Sequence, residues 1–172
     1  MRYTRHWVLH GADSGLNYIQ VVTHHIKEIA MRSTIYVVIQ FMCLGLLAIS
    51  TPLNTLPNLW LLGFGLGVGL GVWAIISMRI KNLSIMPEPL NNAQLTVNGP
   101  YRWIRHPMYT ALVICSLALV MLEPQVWRWL VIVLLMINLW FKAHYEEQLL
   151  SQRFANYASY QQRSKRFIPW LL

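Results

Sequence analysis

Residues 109–143 read YTALVICSLALVMLEPQVWRWLVIVLLMINLWFKA, and this stretch decides the fold. Two apolar runs, 109–122 and 126–143, are separated only by Glu123, Pro124 and Gln125. A connection that short requires the second run to fold back on the first as an antiparallel helical hairpin. The two open ends of a hairpin are neighbours. The segment before the first run, Arg105-His106-Pro107-Met108-Tyr109, therefore comes beside the segment closing the second, Lys142-Ala143-His144-Tyr145-Glu146-Glu147. Two polar clusters about forty residues apart become one place.

Outward from the hairpin, two more apolar blocks cover 34–50 and 59–78. Across 172 residues, 56% are hydrophobic and only 12% charged, against roughly 25% charged in soluble domains. The block at 59–78 is long enough to cross a hydrocarbon core of ~30 Å, and 34–50 is nearly so. The run at 109–122 is short unless its helix begins at Pro107 or the hairpin sits tilted or shallow. The expected fold is an all-α integral membrane protein with about four transmembrane helices. Ahead of it, Leu16, Ile19, Val22, Ile26 and Ile29 recur at three- and four-residue spacing. Residues 1–33 accordingly read as an amphipathic helix lying in the interface, followed by one membrane domain over 34–172.

The net charge of +8 raises nucleic acid as a partner, but its distribution argues for topology instead. With loops assigned alternately to two sides, Arg2, Arg5, Lys27, Arg32, Arg79, Lys81, Arg102, Arg105, Lys142, Arg153, Arg163, Lys165 and Arg166 share one side, and Arg128 stands alone on the other. Such a bias places both termini in the cytoplasm, of an inner or plasma membrane if the source is bacterial. Membrane lipid, not nucleic acid, is the expected macromolecular environment. Cys43 and Cys115 lie in separate apolar blocks and read as reduced packing residues. The first 33 residues lack the continuous apolar core of a cleavable signal. His6, His10, His24 and His25 have no Cys or carboxylate pair beside them, so no metal site is expected.

Gly63, Gly65, Gly67, Gly69 and Gly71 alternate within the second block. A nucleotide-binding glycine loop needs a strand before it and a polar helix start after it, and neither is present. Gly63, Gly67 and Gly71 instead form a small-residue stripe and Gly65 and Gly69 a neighbouring one, and such stripes admit another helix backbone, within the chain or in a second copy. The connection at 79–106 is rich in Pro, Asn and Gly and long for a plain connector. The hairpin ends offer one imidazole, three phenols (Tyr101, Tyr109, Tyr145), two carboxylates and the cations Arg105 and Lys142. An interfacial belt accounts for Arg102, Trp103, Trp127 and Trp129. It does not account for Glu146-Glu147, because acids gain nothing beside anionic lipid. The pair reads as a pocket for a cationic ligand.

The run Leu95-Thr96-Val97-Asn98-Gly99-Pro100-Tyr101, then Arg105-His106-Pro107-Met108-Tyr109, resembles the isoprenylcysteine carboxyl methyltransferase family, whose wider relatives include bacterial homologues and phospholipid methyltransferases. A second motif matches as Lys142, Glu146-Glu147, Leu149, Phe154, Tyr157 and Tyr160, ending in Arg166-Phe167-Ile168-Pro169. Together they cover roughly residues 80–170. The resemblance implies a membrane methyltransferase that uses S-adenosylmethionine on the cytoplasmic side and a lipophilic or small acceptor. It implies that Gln94, Leu95, Thr96, Tyr101, His106, Pro107, Tyr109 and Glu146 hold the cofactor, and that Lys142, Arg105 and Glu147 serve catalysis. Lys142 stands where the family usually has a substrate-facing arginine, Ala111 stands where a glycine is usual, and the Phe154–Tyr157 spacing is one residue shorter than common. Two further readings remain: an NADPH-dependent reductase of the sterol reductase type, which shares an Arg-His-Pro-x-Tyr element, and a non-catalytic membrane subunit.

Overall fold

The computed structural model describes residues 28, 30–52, 59–78 and 95–168. The N-terminal histidines, most of the segment read as interfacial, residues 79–94 with Gln94, and Pro169 lie outside the described residues. Among those described are five α-helices: α1 (Ala30–Ile49), α2 (Trp60–Ser77), α3 (Pro107–Leu122), α4 (Val126–Arg153) and α5 (Tyr157–Arg163). A 3-10 turn covers Gly99–Arg102. The expected all-helical architecture is what the chain adopts.

Helices α1, α2 and α4 are long and apolar enough to cross a membrane, and α3 is a shorter apolar helix. At ~1.5 Å per residue the 16 residues of α3 rise about 24 Å, short of a ~30 Å core. The 28 residues of α4 rise about 42 Å, so this helix outruns the core by roughly two turns. Glu146 and Glu147 sit on that overhang. Leu62, Leu66 and Ile76 on α2 and Leu130, Val133 and Ile137 on α4 point outward, as lipid-facing side chains do. This is a membrane protein.

The glycine stripe of α2 packs on α3. A Cβ added to Gly67 would lie 2.5 Å from Cys115 Sγ, 3.0 Å from the Cys115 backbone nitrogen and 3.1 Å from the Ala111 carbonyl oxygen. Gly63 faces Ala118 and Gly71 faces Ala111 at ordinary contact distance. Gly65 and Gly69 have open space around them. Among the described residues the Gly63–Gly67–Gly71 row alone is thus a helix-packing seam of α2, and Gly67 is its tightest point.

Arg128, the lone cation of the far end, is fully buried at the start of α4. Its Nη1 donates to Ser50 O (3.2 Å), and its Nη2 donates to Leu47 O (3.4 Å), Thr51 Oγ1 (2.6 Å) and Leu119 O (2.8 Å). Glu123 lies 3.6 Å away. Helix C-termini leave their last carbonyls without intrahelical partners and carry partial negative charge. One guanidinium therefore caps both α1 and α3 and ties them to α4. At the opposite end the same three helices carry the polar clusters.

Gly67→Ala should lower the thermal unfolding midpoint of the detergent-solubilised protein by several degrees, because backbone atoms of α3 stand in the way and cannot give cheaply. Gly69→Ala should leave it within about a degree. Equal effects of the two substitutions in a melting experiment would contradict the seam.

Candidate active site

Pro107 occupies the first turn of α3, where a missing N–H costs nothing and the fixed φ favours the helix. That leaves His106 as the residue just outside it, its carbonyl accepting from the amides of Tyr109 and Thr110 at 3.1 Å each. Tyr109 is buried one turn on, its ring stacked on His106 at 5.2 Å between centroids and 3° between planes. Upstream, the 3-10 turn depends on Gly99, whose φ of 59° is left-handed and whose missing Cβ leaves room for Ser77 at the end of α2. Trp103 meets Trp73 of α2 edge-on at 6.1 Å. The turn is thereby seated on α2, and Tyr101 on it is buried.

The hairpin brings its two ends together as its short connection requires. Both ring nitrogens of His106 face carboxylates: Nδ1 lies 3.4 Å from Glu146 Oε2 and Nε2 lies 3.3 Å from Glu147 Oε1. The adjacent acids differ sharply in what else they meet. Glu147, 5% exposed, accepts from Arg105 Nε at 2.8 Å and from Arg166 Nε and Nη2 at 3.2 and 2.5 Å. Glu146, 17% exposed, accepts from the Tyr109 hydroxyl at 2.5 Å. Arg105 also donates through Nη1 to the carbonyls of Gln161 and Ser164. Arg105 and Glu147 thus grip each other and the last turn and end of α5, while Glu146 is the more exposed of the two acids.

The third wall is a tail that the hairpin argument leaves out. Residues 164–167 run alongside 103–106: Lys165 N donates to Trp103 O (2.9 Å), Arg105 N to Lys165 O (2.7 Å) and His106 N to Arg166 O (3.1 Å). Thr110 Oγ1 donates to Phe167 O at 2.8 Å, and Tyr160 donates its hydroxyl to Tyr101 O at 2.6 Å. Phe167 lies against His106 and Trp140, and Arg166 stacks over Trp140 at 4.9 Å. Lys142 is buried one turn before Glu146, its Nζ 5.1 Å from the Tyr109 ring centroid and 3.1 Å from Gln40 Oε1 of α1. Leu95 and Thr96 are half-buried and lead into the 3-10 turn.

Sequence reasoning missed Arg166, Phe167 and Gln40 as parts of this place. Arg166 and Phe167 were visible as a motif, but nothing in their spacing shows that the tail returns to α3. Gln40 carried the one available signal, a long polar amide inside an apolar block.

Burial alone would lower the His106 pKa. The bonds to Glu146 and Glu147 outweigh it, and the imidazole is held above its usual value of ~6.5. A group that binds its proton more tightly when folded stabilises the fold fully below its unfolded pKa, and that contribution fades as pH rises through the folded one. In thermal melts run from about pH 5 to about pH 9, the midpoint difference between wild type and His106→Gln should therefore be largest below ~6.5 and shrink as the pH rises above it. A difference constant across that interval would show that the imidazolium is not what links the two acids.

No curated protein and no solved structure matches this chain. A family model for phospholipid methyltransferases matches residues 59–157, which contain α2, the 3-10 turn, the α3–α4 hairpin and both acids. The match covers more than half of the sequence, and the chain belongs to the phospholipid methyltransferase family, related to the isoprenylcysteine carboxyl methyltransferases whose motifs it resembles.

Proposed function

We propose that this membrane methyltransferase takes its methyl group from S-adenosylmethionine, bound at the cytoplasmic ends of α3 and α4, and delivers it to an amphiphilic acceptor from the lipid phase. The observation that carries the reading is the asymmetry of the acid pair. Glu147 is enclosed by Arg105, Arg166 and His106, whereas Glu146 meets only the Tyr109 hydroxyl and the other nitrogen of His106 among the described residues and is the more exposed of the two. A carboxylate so presented, beside stacked aromatic rings, suits a ligand with a sulfonium and an ammonium group.

Two buried phenols support the fit. Among the described residues the hydroxyls of Tyr101 and Tyr157 have no hydrogen-bond partner, a state buried polar groups rarely tolerate. Burial pushes both phenols well above their ordinary pKa, so each remains a donor at neutral pH. Ribose or base acceptors of an adenosine group would satisfy such donors.

In this reading Glu146 engages the ligand's amino group, the His106–Tyr109 stack and Tyr101 line it, and Leu95 and Thr96 border its adenosine end, with Gln94 beside them in sequence. Arg105 and Glu147 hold α3, α4 and the tail in register. Lys142 faces the acceptor. When bound, S-adenosylmethionine supplies an electrophilic methyl whose bond to sulfur breaks with its electron pair left on sulfur as the acceptor's lone pair forms the new bond. The side chains supply alignment and exclusion of water, the terms that dominate an in-line displacement. A carboxylate acceptor needs no base at neutral pH, whereas an ammonium or thiol acceptor must first lose a proton.

Titration calorimetry on the detergent-purified protein should show binding of S-adenosylhomocysteine, weakened about tenfold or more in Glu146→Gln, which loses the charge but keeps the shape. NADPH should not bind. Binding of NADPH alone would establish the reductase reading instead, and binding of neither ligand would leave a non-catalytic subunit.

A further inference from the structure

The matched family region starts at residue 59, so α1 lies outside it. Yet α1 is not a plain anchor. Its inward face carries Ser33, Tyr36, Gln40, Cys43 and Leu47, polar toward the site and apolar toward Arg128. The polar half docks on α4. Asn138 Nδ2 donates to Tyr36 O at 3.0 Å, the Tyr36 and Tyr145 rings lie 6.3 Å apart, and Lys142 Nζ donates to Gln40 Oε1 at 3.1 Å. Gln40 is 7% exposed and Lys142 3%.

A polar amide and an ammonium buried among apolar helices are costly, and such pairs mark a binding site more often than a structural need. The position of this pair says what it meets. Along α4, Lys142 stands one turn, ~6 Å, nearer the membrane interior than Glu146. It reaches Glu146 through Tyr109, whose ring faces the ammonium and whose hydroxyl donates to Glu146. The sequence of contacts therefore runs from α1 through Gln40, Lys142 and Tyr109 to Glu146. An amphiphile entering from lipid reaches Lys142 before the acid pair.

We propose that Gln40 is the acceptor-selecting residue supplied by α1. Its amide oxygen is neutral, so it fixes the Lys142 ammonium over Tyr109 without cancelling the charge. The fixed cation receives an anionic group, carboxylate or phosphate, next to the reacting atom of an apolar-tailed acceptor. The proposal rests on the methyltransferase reading above. Gln40 acts through Lys142 and is a positioning residue.

Two substitutions separate this from a packing role. Gln40→Leu removes the oxygen. Gln40→Glu keeps an oxygen at the same reach, and so the contact with Lys142, but adds a charge that neutralises the ammonium and repels an anion. The 172-residue chain would be assayed with labelled S-adenosylmethionine and three probes: farnesoic acid, vesicles of phosphatidylethanolamine with phosphatidylglycerol, and dodecanethiol as the neutral control. Wild type should methylate the acid or the phospholipid, and which of the two identifies the source of the anionic group. For that acceptor both variants should raise KM about tenfold, Glu at least as much as Leu, with kcat within about threefold. Calorimetric affinity for the acid or the vesicles, measured on protein saturated with S-adenosylhomocysteine, should fall in parallel, and S-adenosylhomocysteine affinity should stay within about twofold.

Wild-type KM in both variants overturns the proposal, as does recovery by Gln40→Glu of what Gln40→Leu loses, because a packing or contact role predicts that rescue. Methylation of the thiol alone, or of no probe while S-adenosylhomocysteine binds, overturns the anionic acceptor. Failure of wild type to bind S-adenosylhomocysteine refutes instead the reading on which the proposal rests.

Discussion

The site depends on how the carboxylate of Glu147 is enclosed. An anion 5% exposed at a membrane edge is expensive unless its lone pairs are filled, and here Arg105, Arg166 and His106 fill them. Those three cations come from the residues before α3 and from the tail, while the acid comes from α4. One charge thus fixes three segments that no apolar contact alone would hold in register. Loss of one partner leaves a buried charge, which costs about 3–5 kcal/mol and exceeds what a surface ion pair contributes. The consequence for chemistry is indirect. With Glu147 committed, its neighbour Glu146 is held at a fixed place between Tyr109 and His106 and is the more exposed of the two acids.

The resemblance gave Glu146 to the cofactor and Glu147 to catalysis, but nothing in the sequence showed that Arg105, Arg166 and His106 enclose Glu147. What was legible followed from short-range rules. The Glu123-Pro124-Gln125 connection fixed the hairpin and so the meeting of His106 with the acids. Pro107 marked the start of α3, and the spacing of Gly63, Gly67 and Gly71 named the face that packs on it. Each of these depends on neighbours a few residues away or on a helical repeat. The tail and α1 depend on neither. Arg166 meets Glu147 only because residues 164–167 lie beside 103–106, a parallel pairing about sixty residues apart that no pattern encodes. Gln40 meets Lys142 across about a hundred residues for the same reason. Arg128 shows the same limit from another side: its isolation signalled topology, while its structural task, capping two helices at once, required knowing that α1 and α3 end together.

Helix lengths connect this architecture to the proposed chemistry. α3 falls short of the hydrocarbon thickness and α4 exceeds it, so when Arg128 pins their far ends at one level, their near ends lie at different depths relative to the acids. The overhang of α4 raises Glu146 and Glu147 into the boundary region, and the fully buried Lys142 stays one turn lower. A soluble, positively charged methyl donor and a lipid-borne acceptor approach from media of opposite polarity. A site serving both needs its anion near water and its cation near lipid, because a buried cation in a low-dielectric seam attracts an acceptor's anionic group far more strongly than a solvated one. The order Glu146, Tyr109, Lys142, Gln40 along the depth of the bundle has that polarity. Reversing it, with the acid deep and the lysine at the surface, would leave the donor and the acceptor each facing a like charge.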